Sequence, residues 1–289
     1  MIRFLAALGL VLLIPSSAAA APKLALDVYT ADAGAFGVTS TLVYGPTEAI
    51  LVDAQFRNSD ADQLAARIRS VAPGRTLKAI VVTHAHPDHY FGATRLLELF
   101  PGTPVYLSDA GIEEFEKSVD GKLAFWGGIY GRDVPKQVAV PQPAPRQLTV
   151  DGETLEIVSG IQGDVQTPSN SYVWIPSLSA LLASDLVYSH THVWLADSDA
   201  TSRRGWSAAL TAIEKEHHPR VVVAGHKATP QGENSPADIA FVRRYIDDFD
   251  RLRGQAKSDA ELIAAMRAAY PDLALTDILG FAAKAAFAR

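Results

Sequence analysis

Apolar positions in the first half of the chain switch between the two-residue period of strands and the wider spacing of helices. Leu64, Ile68 and Val71, for example, fall on one face of a helix that Ser59 would cap. Two strands joined by a hairpin turn are predicted at residues 38–44 and 49–53. A helix at 59–72, a strand at 77–83, a helix at 92–100 and a strand at 104–107 follow. This alternation predicts an α/β fold.

The second half resumes this pattern and ends in helices. Two β-rich stretches are predicted at residues 149–160 and 171–184, a helix at 201–217 and a buried strand at 220–224. Three final helices are predicted at residues 236–253, 258–270 and 276–287. No break in composition separates two self-sufficient halves. We therefore expect one large domain over residues 22–289, with a helical extension at about 236–289.

The stretch between the two halves, residues 118–146, is rich in glycine and proline and predicts no single regular element. It also carries Phe125, Trp126 and Tyr130. Long loops in compact domains are often functional, so we expect a flap beside an active site, with Trp126 and Tyr130 facing the substrate. The alternative is that these aromatic side chains only pack beneath a surface loop.

The first residues have the pattern of a secretory signal peptide. Arg3 precedes an apolar stretch at residues 4–14, and small residues follow at 15–21, as at a cleavage site. The apolar stretch is too short to span a bilayer comfortably. The sequence thus predicts a signal peptide at residues 1–21, a periplasmic or secreted protein, and no stable membrane span after cleavage.

Composition narrows the range of partners. The chain has 289 residues, 48% of them hydrophobic, which is enough for a substantial core. A net charge of -6 gives no electrostatic case for nucleic acid, so the expected partner is a small-molecule substrate. Cysteine is absent, which excludes disulfides and thiolate metal ligands. The oligomeric state has no signature in the sequence.

The most closely spaced group of potential metal ligands lies directly after the strand predicted at residues 77–83. His84, His86, Asp88 and His89 stand there within six residues. In an extended segment, alternation places the first three on one side, and His89 reaches a second position. Imidazole nitrogens and carboxylate oxygens that converge in this way are typical ligands of zinc and similar divalent ions. A histidine-rich surface loop would explain neither the carboxylate nor the position at a strand end.

The pattern H-x-H-x-D-H resembles the metallo-β-lactamase superfamily of metallohydrolases, over residues of about 26–230. The resemblance implies a four-layer αββα sandwich, here with extra C-terminal helices. It also implies that His84 and His86 bind one metal while Asp88 and His89 bind a second. Two further ligands follow from the same resemblance: a bridging carboxylate at Asp185 and a final histidine at His226, each after an apolar run.

The third histidine that this family usually places on metal one is missing. Asp164 lies 21 residues before Asp185, close to the family's spacing for that histidine. We therefore assign Asp164 as the substitute ligand. The alternatives are that Asp164 is only a turn residue after Gly163, or that His190 or His192 supplies the ligand.

Several other residues are candidates for the substrate pocket. They lie close in sequence to the metal ligands or in the aromatic stretch described above: Trp126, Tyr130, Asn170, His190, His192 and Trp194. Sequence alone gives them no defined role.

These residues together predict an exported binuclear hydrolase of a small ester, lactone or amide. A metal-bound hydroxide would attack, with Asp88 orienting it as the catalytic carboxylate. Two divalent ions are expected, with zinc first and iron or manganese as alternatives. A β-lactamase is one member of this class.

Two hypotheses from other classes stay open. His84, His86 and Asp164 form the two-histidine, one-carboxylate set of non-haem iron oxygenases. That reading leaves the other predicted ligands without a role. The chain could also be a non-catalytic binding protein that retains a degenerate site. Retention of every other ligand argues against this.

Overall fold

A computed structural model describes residues 24–288 of the chain. The predicted signal peptide at residues 1–21 lies outside these residues. Between residues 24 and 288, no helix is both long enough and apolar enough to cross a membrane.

The first sheet has six strands in the order of the sequence. They are β1 (Ala25–Thr30), β2 (Thr39–Tyr44), β3 (Glu48–Val52), β4 (Thr76–Val81), β5 (Val105–Leu107) and β6 (Gln142–Pro143). The predicted hairpin is confirmed, since β2 and β3 pair antiparallel with Tyr44 opposite Ala49. From β3 onwards the strands run parallel. The carboxyl ends of β3 and β4 therefore meet at one edge of the sheet.

The second sheet has five strands in the order β11-β10-β9-β8-β7. They are β7 (Gln147–Val150), β8 (Glu153–Ile161), β9 (Asn170–Ile175), β10 (Ala180–Ser189) and β11 (Val221–Lys227). Strands β10 and β11 are parallel, and the other pairs are antiparallel. The two sheets meet at one corner, where Thr39 Oγ1 donates to the Ala224 carbonyl at 2.7 Å and Val38 bridges to His226.

Helices cover the outer faces of both sheets. Their bounds are α1 (Asn58–Val71), α2 (Pro87–Tyr90), α3 (Ala93–Leu99), α4 (Asp109–Tyr130), α5 (Ala200–His217), α6 (Ala237–Arg253), α7 (Asp259–Ala269) and α8 (Thr276–Ala288). The α1 prediction holds within one residue, but Arg57 occupies the N-cap position, and Ser59 instead bonds to Asp133.

Alternating side chains divide the interior into three apolar layers. In the first sheet, Leu51 and Ile80 face the helices, while their neighbours Ile50 and Val81 face the second sheet. Such alternation follows from the two-residue period of a strand. The third layer joins the second sheet to α5–α8, with Trp206 at its centre. The predicted four-layer αββα sandwich with extra C-terminal helices is confirmed.

The prediction for residues 118–146 is wrong in its first part, because residues 109–130 form one helix, α4. Ser108 caps its N-terminus by accepting from the Gly111 amide. Each glycine inside the helix costs about 1 kcal/mol relative to alanine. Burial of apolar side chains at helical spacing, Phe115 and the partly buried Trp126 among them, offsets that cost. The helix ends at Gly131, where φ is +60°.

Candidate metal centre

The carboxyl ends of β3 and β4 and the adjoining parts of β10 and β11 bring the predicted ligands together. His84 and His86 follow β4, and Asp88 and His89 lie in the short helix α2, which Pro87 begins. Asp185 was expected to end a strand, but β10 continues past it to Ser189. The strand pairing shifts register on both sides of Ser184, and this irregularity turns the Asp185 side chain toward the motif.

His84, His86, Asp164 and Asp185 form the first group of converging side chains, with one donor atom each within 4.8 Å of all the others. Asp164 Oδ2 lies 3.1 Å from His86 Nδ1 and 4.0 Å from His84 Nε2. Asp164 is completely buried, which does not fit a turn residue at the surface.

Asp88, His89 and His226 form the second group, whose donor atoms also lie within 4.8 Å of one another. Asp88 Oδ2 is 3.4 Å from His226 Nε2 and 3.7 Å from His89 Nε2.

Asp185 stands between the two groups. Its Oδ1 lies 3.1 Å from His89 Nε2, and its Oδ2 lies 3.2 Å from His226 Nε2 and 3.7 Å from His84 Nε2. Tyr188 donates its hydroxyl to the same Oδ2 at 2.8 Å. This is the position that a bridging carboxylate requires.

Contacts outside the cluster fix which ring nitrogen points inward. His84 Nδ1 contacts Thr83 Oγ1 at 3.1 Å, and His226 Nδ1 donates to the Phe36 carbonyl at 2.8 Å. Both rings therefore direct Nε2 into the cluster. His86 has the opposite orientation, because its Nε2 lies 3.5 Å from Asp197 and its Nδ1 points inward. Such outer contacts orient metal-binding histidines in general.

Asp53 supports the cluster from below and was not identified from the sequence. It is buried, has a φ of +61°, and its carboxylate lies 2.9 Å from His89 Nδ1. Thr83 and Ser184 also donate to it. The available signal was its place directly after the apolar stretch at residues 49–52.

The buried carboxylates and imidazoles of the cluster shift one another's pKa values. Burial alone would raise the pKa of the Asp185 carboxyl, but the imidazoles of His226 and His89 hold it well below its usual range. Burial likewise opposes protonation of His86, yet the Asp164 carboxylate raises its pKa well above the usual value. Burial lowers the pKa of His84. The buried carboxylates therefore need positive charge close by.

The donor atoms fit divalent metal ions. Among residues 24–288, His84 Nε2, His89 Nε2, Asp164 Oδ2 and Asp185 Oδ1 are buried atoms that form no hydrogen bond. Two of these atoms, His89 Nε2 and Asp185 Oδ1, approach to 3.1 Å without hydrogen-bond geometry. Buried polar atoms without partners are costly, and metal bound by the two ligand groups would satisfy all four. The chain thus contains a candidate site for divalent metal.

Glycines make room for two of the carboxylates. A Cβ at Gly225 would collide with Asp185, which explains why glycine precedes His226 in β11. A Cβ at Gly163 would collide with Asn170, whose Nδ2 donates to Asp164 Oδ1 at 2.9 Å. Asn170 is buried and orients Asp164, so its predicted place among the lining of the substrate pocket is corrected.

A cavity of about 310 Å³ opens directly above the metal ligands. Trp126 and Trp194 line it, as predicted for a substrate pocket. Tyr130 does not: its hydroxyl donates to the Gly34 carbonyl, and its ring packs edge-on against Phe56 at 5.1 Å. The residues of the predicted flap that line the cavity therefore belong to the C-terminal half of helix α4.

His190 and His192 lie elsewhere. His192 is buried in the helical layer of the second sheet, where its Nδ1 contacts the Tyr245 hydroxyl at 2.8 Å. His190 is exposed, with φ at +57°, and borders a separate surface depression with Asp238. Neither histidine is in the cavity or in either ligand group, so Asp164 is the residue that stands in the position of the third ligand.

A second, polar cavity of about 360 Å³ adjoins the first. Its lining includes Glu114, Ser118, Gln166 and Thr167. Lys122 borders both cavities, as do His86 and Asp197. Lys122 donates to the carbonyl of Ala85, inside the ligand motif, and burial lowers the pKa of its ammonium group. Sequence reasoning missed Lys122 and Asp197, because neither lies in a recognisable pattern.

Comparison with solved structures places this fold among metallo-beta-lactamases. A metallo-beta-lactamase from Pontibacter korlensis has a TM-score of 0.55 at 18% identity, covering 80% of this chain and 98% of that one. DIM-1 metallo-beta-lactamase exposed to ceftazidime gives 0.57 at 18% identity, covering 80% and 95%. A metallo-beta-lactamase from Erythrobacter litoralis gives 0.55 at 16% identity, covering 80% and 95%. At these identities the likeness establishes the fold.

Comparison with curated protein sequences gave no match. The sequence model of the metallo-beta-lactamase superfamily, however, matches residues 33–226, about two thirds of the chain. That segment contains every ligand of both groups and ends at His226. The chain belongs to the metallo-beta-lactamase superfamily.

Proposed function

We propose that this protein is an exported hydrolase that holds two divalent metal ions and cleaves a small ester, lactone or amide. Zinc is the metal that we propose first. The observation that carries the proposal is the position of Asp185. Its Oδ1 lies 3.1 Å from His89 Nε2, and its Oδ2 lies between the two groups, 3.2 Å from His226 Nε2 and 3.7 Å from His84 Nε2. A carboxylate shared in this way suits a pair of metal ions better than a single one.

The reaction would use the chain's residues in defined roles. When bound, two divalent ions would lower the pKa of water and would act as a Lewis acid toward the scissile carbonyl. Asp88 borders the cavity, and its Oδ2 can orient the attacking water and accept its proton. Lys122 stands at the boundary of the two cavities, within reach of a developing negative charge. The buried floor of the site keeps other water away from the reacting bond.

Metal content and turnover test the proposal together. The mature protein, purified without added metal and then loaded with zinc, should contain two ions per chain and hydrolyse members of a panel of simple esters, lactones, amides and β-lactams. Asp185→Asn should lose at least one ion and most of the activity. Asp272→Asn, which changes an exposed carboxylate, is the matched control and should behave as the unaltered protein.

The same experiment separates the alternatives. One iron per chain with oxygen consumption would support an oxygenase built on His84, His86 and Asp164, although Asp88, His89 and His226 would then have no task. Turnover confined to β-lactams would identify a β-lactamase. Neither metal uptake nor turnover would indicate a degenerate binding protein.

A further inference from the structure

The cavity above the metal centre has apolar walls and a polar floor. Its floor consists of metal-ligand candidates, His86, Asp88, Asp185 and His226. Its walls are almost entirely aromatic or aliphatic: Phe36, Phe56, Phe125, Trp126, Trp194, Ile278 and Phe281. A group bound against these walls would therefore be apolar, with its reactive end directed at the floor.

Ring contacts hold the walls in place. Trp126 packs against Phe56 at 5.1 Å and against Phe36 at 5.8 Å, which ties helix α4 to the N-terminal loops. On the opposite side, Trp194 packs against Phe281 of α8 at 5.6 Å. Offset and edge-on aromatic pairs of this kind favour a defined geometry. The cavity is thus formed by fixed side chains.

One wall comes from outside the family segment. The superfamily model ends at residue 226, whereas Ile278 and Phe281 lie in α8. The C-terminal helix α8 therefore contributes to the cavity wall as well as to the core. Two rings at the mouth stay in water: Phe125 is 56% exposed and Phe281 is 43% exposed. Exposed apolar groups that rim a pocket are typical of binding sites.

We propose that the substrate of this hydrolase carries an apolar chain or ring, which lies between α4 and α8, and a polar remainder, which lies in the adjoining polar cavity. The scissile group would then sit over the metal centre at the boundary of the two cavities, beside Lys122. This inference rests on the proposed function for the scissile bond, but binding of the apolar group is independent of it.

Binding of simple carboxylates tests the apolar site without any turnover. Butyrate, hexanoate and octanoate imitate a hydrolysis product whose carboxylate faces the metal ions and whose chain occupies the cavity. Their affinities for the metal-loaded mature protein can be followed by calorimetry and by tryptophan fluorescence, since Trp126 and Trp194, two of the four tryptophans, line the cavity. Affinity should increase with each methylene group, by up to about four-fold where burial is complete.

Variants at the mouth locate the site. Phe125→Ser and Phe281→Ser change half-exposed side chains, so both should fold, and both should flatten the dependence on chain length. Ile129→Ser is the matched control, since Ile129 lies one helical turn after Phe125, is 57% exposed and does not line the cavity. Equal affinity for butyrate and octanoate, or a dependence that survives both phenylalanine variants, would overturn the proposal.

Hydrolysis of a matched ester series distinguishes this inference from the proposed function. Ethyl butyrate, hexanoate and octanoate should show kcat/KM increasing with chain length, and the increase should be smaller in Phe281→Ser. Turnover without any preference for longer chains would refute the apolar site while leaving the hydrolase intact. Chain-dependent binding without turnover of any ester, lactone or amide would support the apolar site and refute the hydrolase.

Discussion

Asp164 Oδ2 lies 3.1 Å from His86 Nδ1, in a position where a neutral imidazole would be the more familiar ligand. Its other oxygen accepts a hydrogen bond from Asn170. With aspartate instead of histidine at position 164, the first ligand group carries one additional negative charge. Two divalent ions, with Asp88, Asp164, Asp185 and one hydroxide, would make a neutral cluster instead of a positive one.

This charge predicts the behaviour of two variants at position 164. Asp164→Ala should empty the first metal site and reduce hydrolysis by more than the roughly 10- to 100-fold typical of outer contacts. Asp164→His should keep both metals. Because it removes a negative charge, it should lower the pKa of the catalytic water, and the acidic limb of the pH–rate profile should move to lower pH.

Metal analysis and pH–rate profiles check both outcomes. Asp164→Asn is the control for size, since it keeps one oxygen donor and loses the charge. Full metal content and full activity in Asp164→Ala would show that Asp164 has no part in binding metal.

A second prediction concerns Asp53, which lies 2.9 Å from His89 Nδ1. Asp53→Asn removes the charge that orients and polarises this ring, so metal affinity or activity should decrease roughly 10- to 100-fold. Ser184→Ala removes only one donor to the same carboxylate and should have a smaller effect. Competition with a chromophoric chelator measures the affinities, and an equal effect of the two variants would contradict this assignment.

The ends of β3 and β4 were predictable from sequence, because apolar runs followed by aspartate or histidine mark them. The ends of β10 and β11 were not, since β10 continues past Asp185 to Ser189 and β11 includes His226. Helix α4 was not predictable in this way. The glycines and prolines in residues 118–146 indicated a loop, whereas packing of Phe115 and Trp126 into the first apolar layer stabilises a helix up to Tyr130. Tertiary contacts outweighed local preference there.

The residues that form the cavity walls were also not predictable from the sequence. Phe36, Phe56, Trp194 and Phe281 come from four distant segments and share no spacing along the chain. Each resembles an ordinary core residue until the fold brings them to one opening. Position 164 was identified only because its distance from Asp185 matched a known pattern.

A third prediction concerns stability. Removal of metal leaves the Asp164 and Asp185 carboxylates buried without a compensating cation, so chelation should destabilise the fold. Saturation at 100 times the dissociation constant contributes about 2.7 kcal/mol to the free energy of unfolding. Thermal unfolding with and without chelator should therefore differ by several degrees. Asp185→Asn should show a smaller difference, and no change in the unaltered protein would contradict metal binding.

A fourth prediction concerns the N-terminus. If residues 1–21 are a signal peptide, the exported protein should begin near Ala21 or Pro22. Intact-mass measurement of protein recovered from the periplasm or medium checks this. Retention of Met1 through Ala20 in the exported protein would refute it.

The seven candidate ligands are divided between distant parts of the chain: four lie between His84 and His89, and the others extend to His226. Bound metal would therefore act as a crosslink that closes a loop of more than a hundred residues. Closing so long a loop restricts the unfolded chain strongly. A chain without cysteine forms no disulfides. If it is exported as proposed, metal uptake would be the maturation step that fastens the two halves, at the stage where other secreted proteins oxidise their thiols.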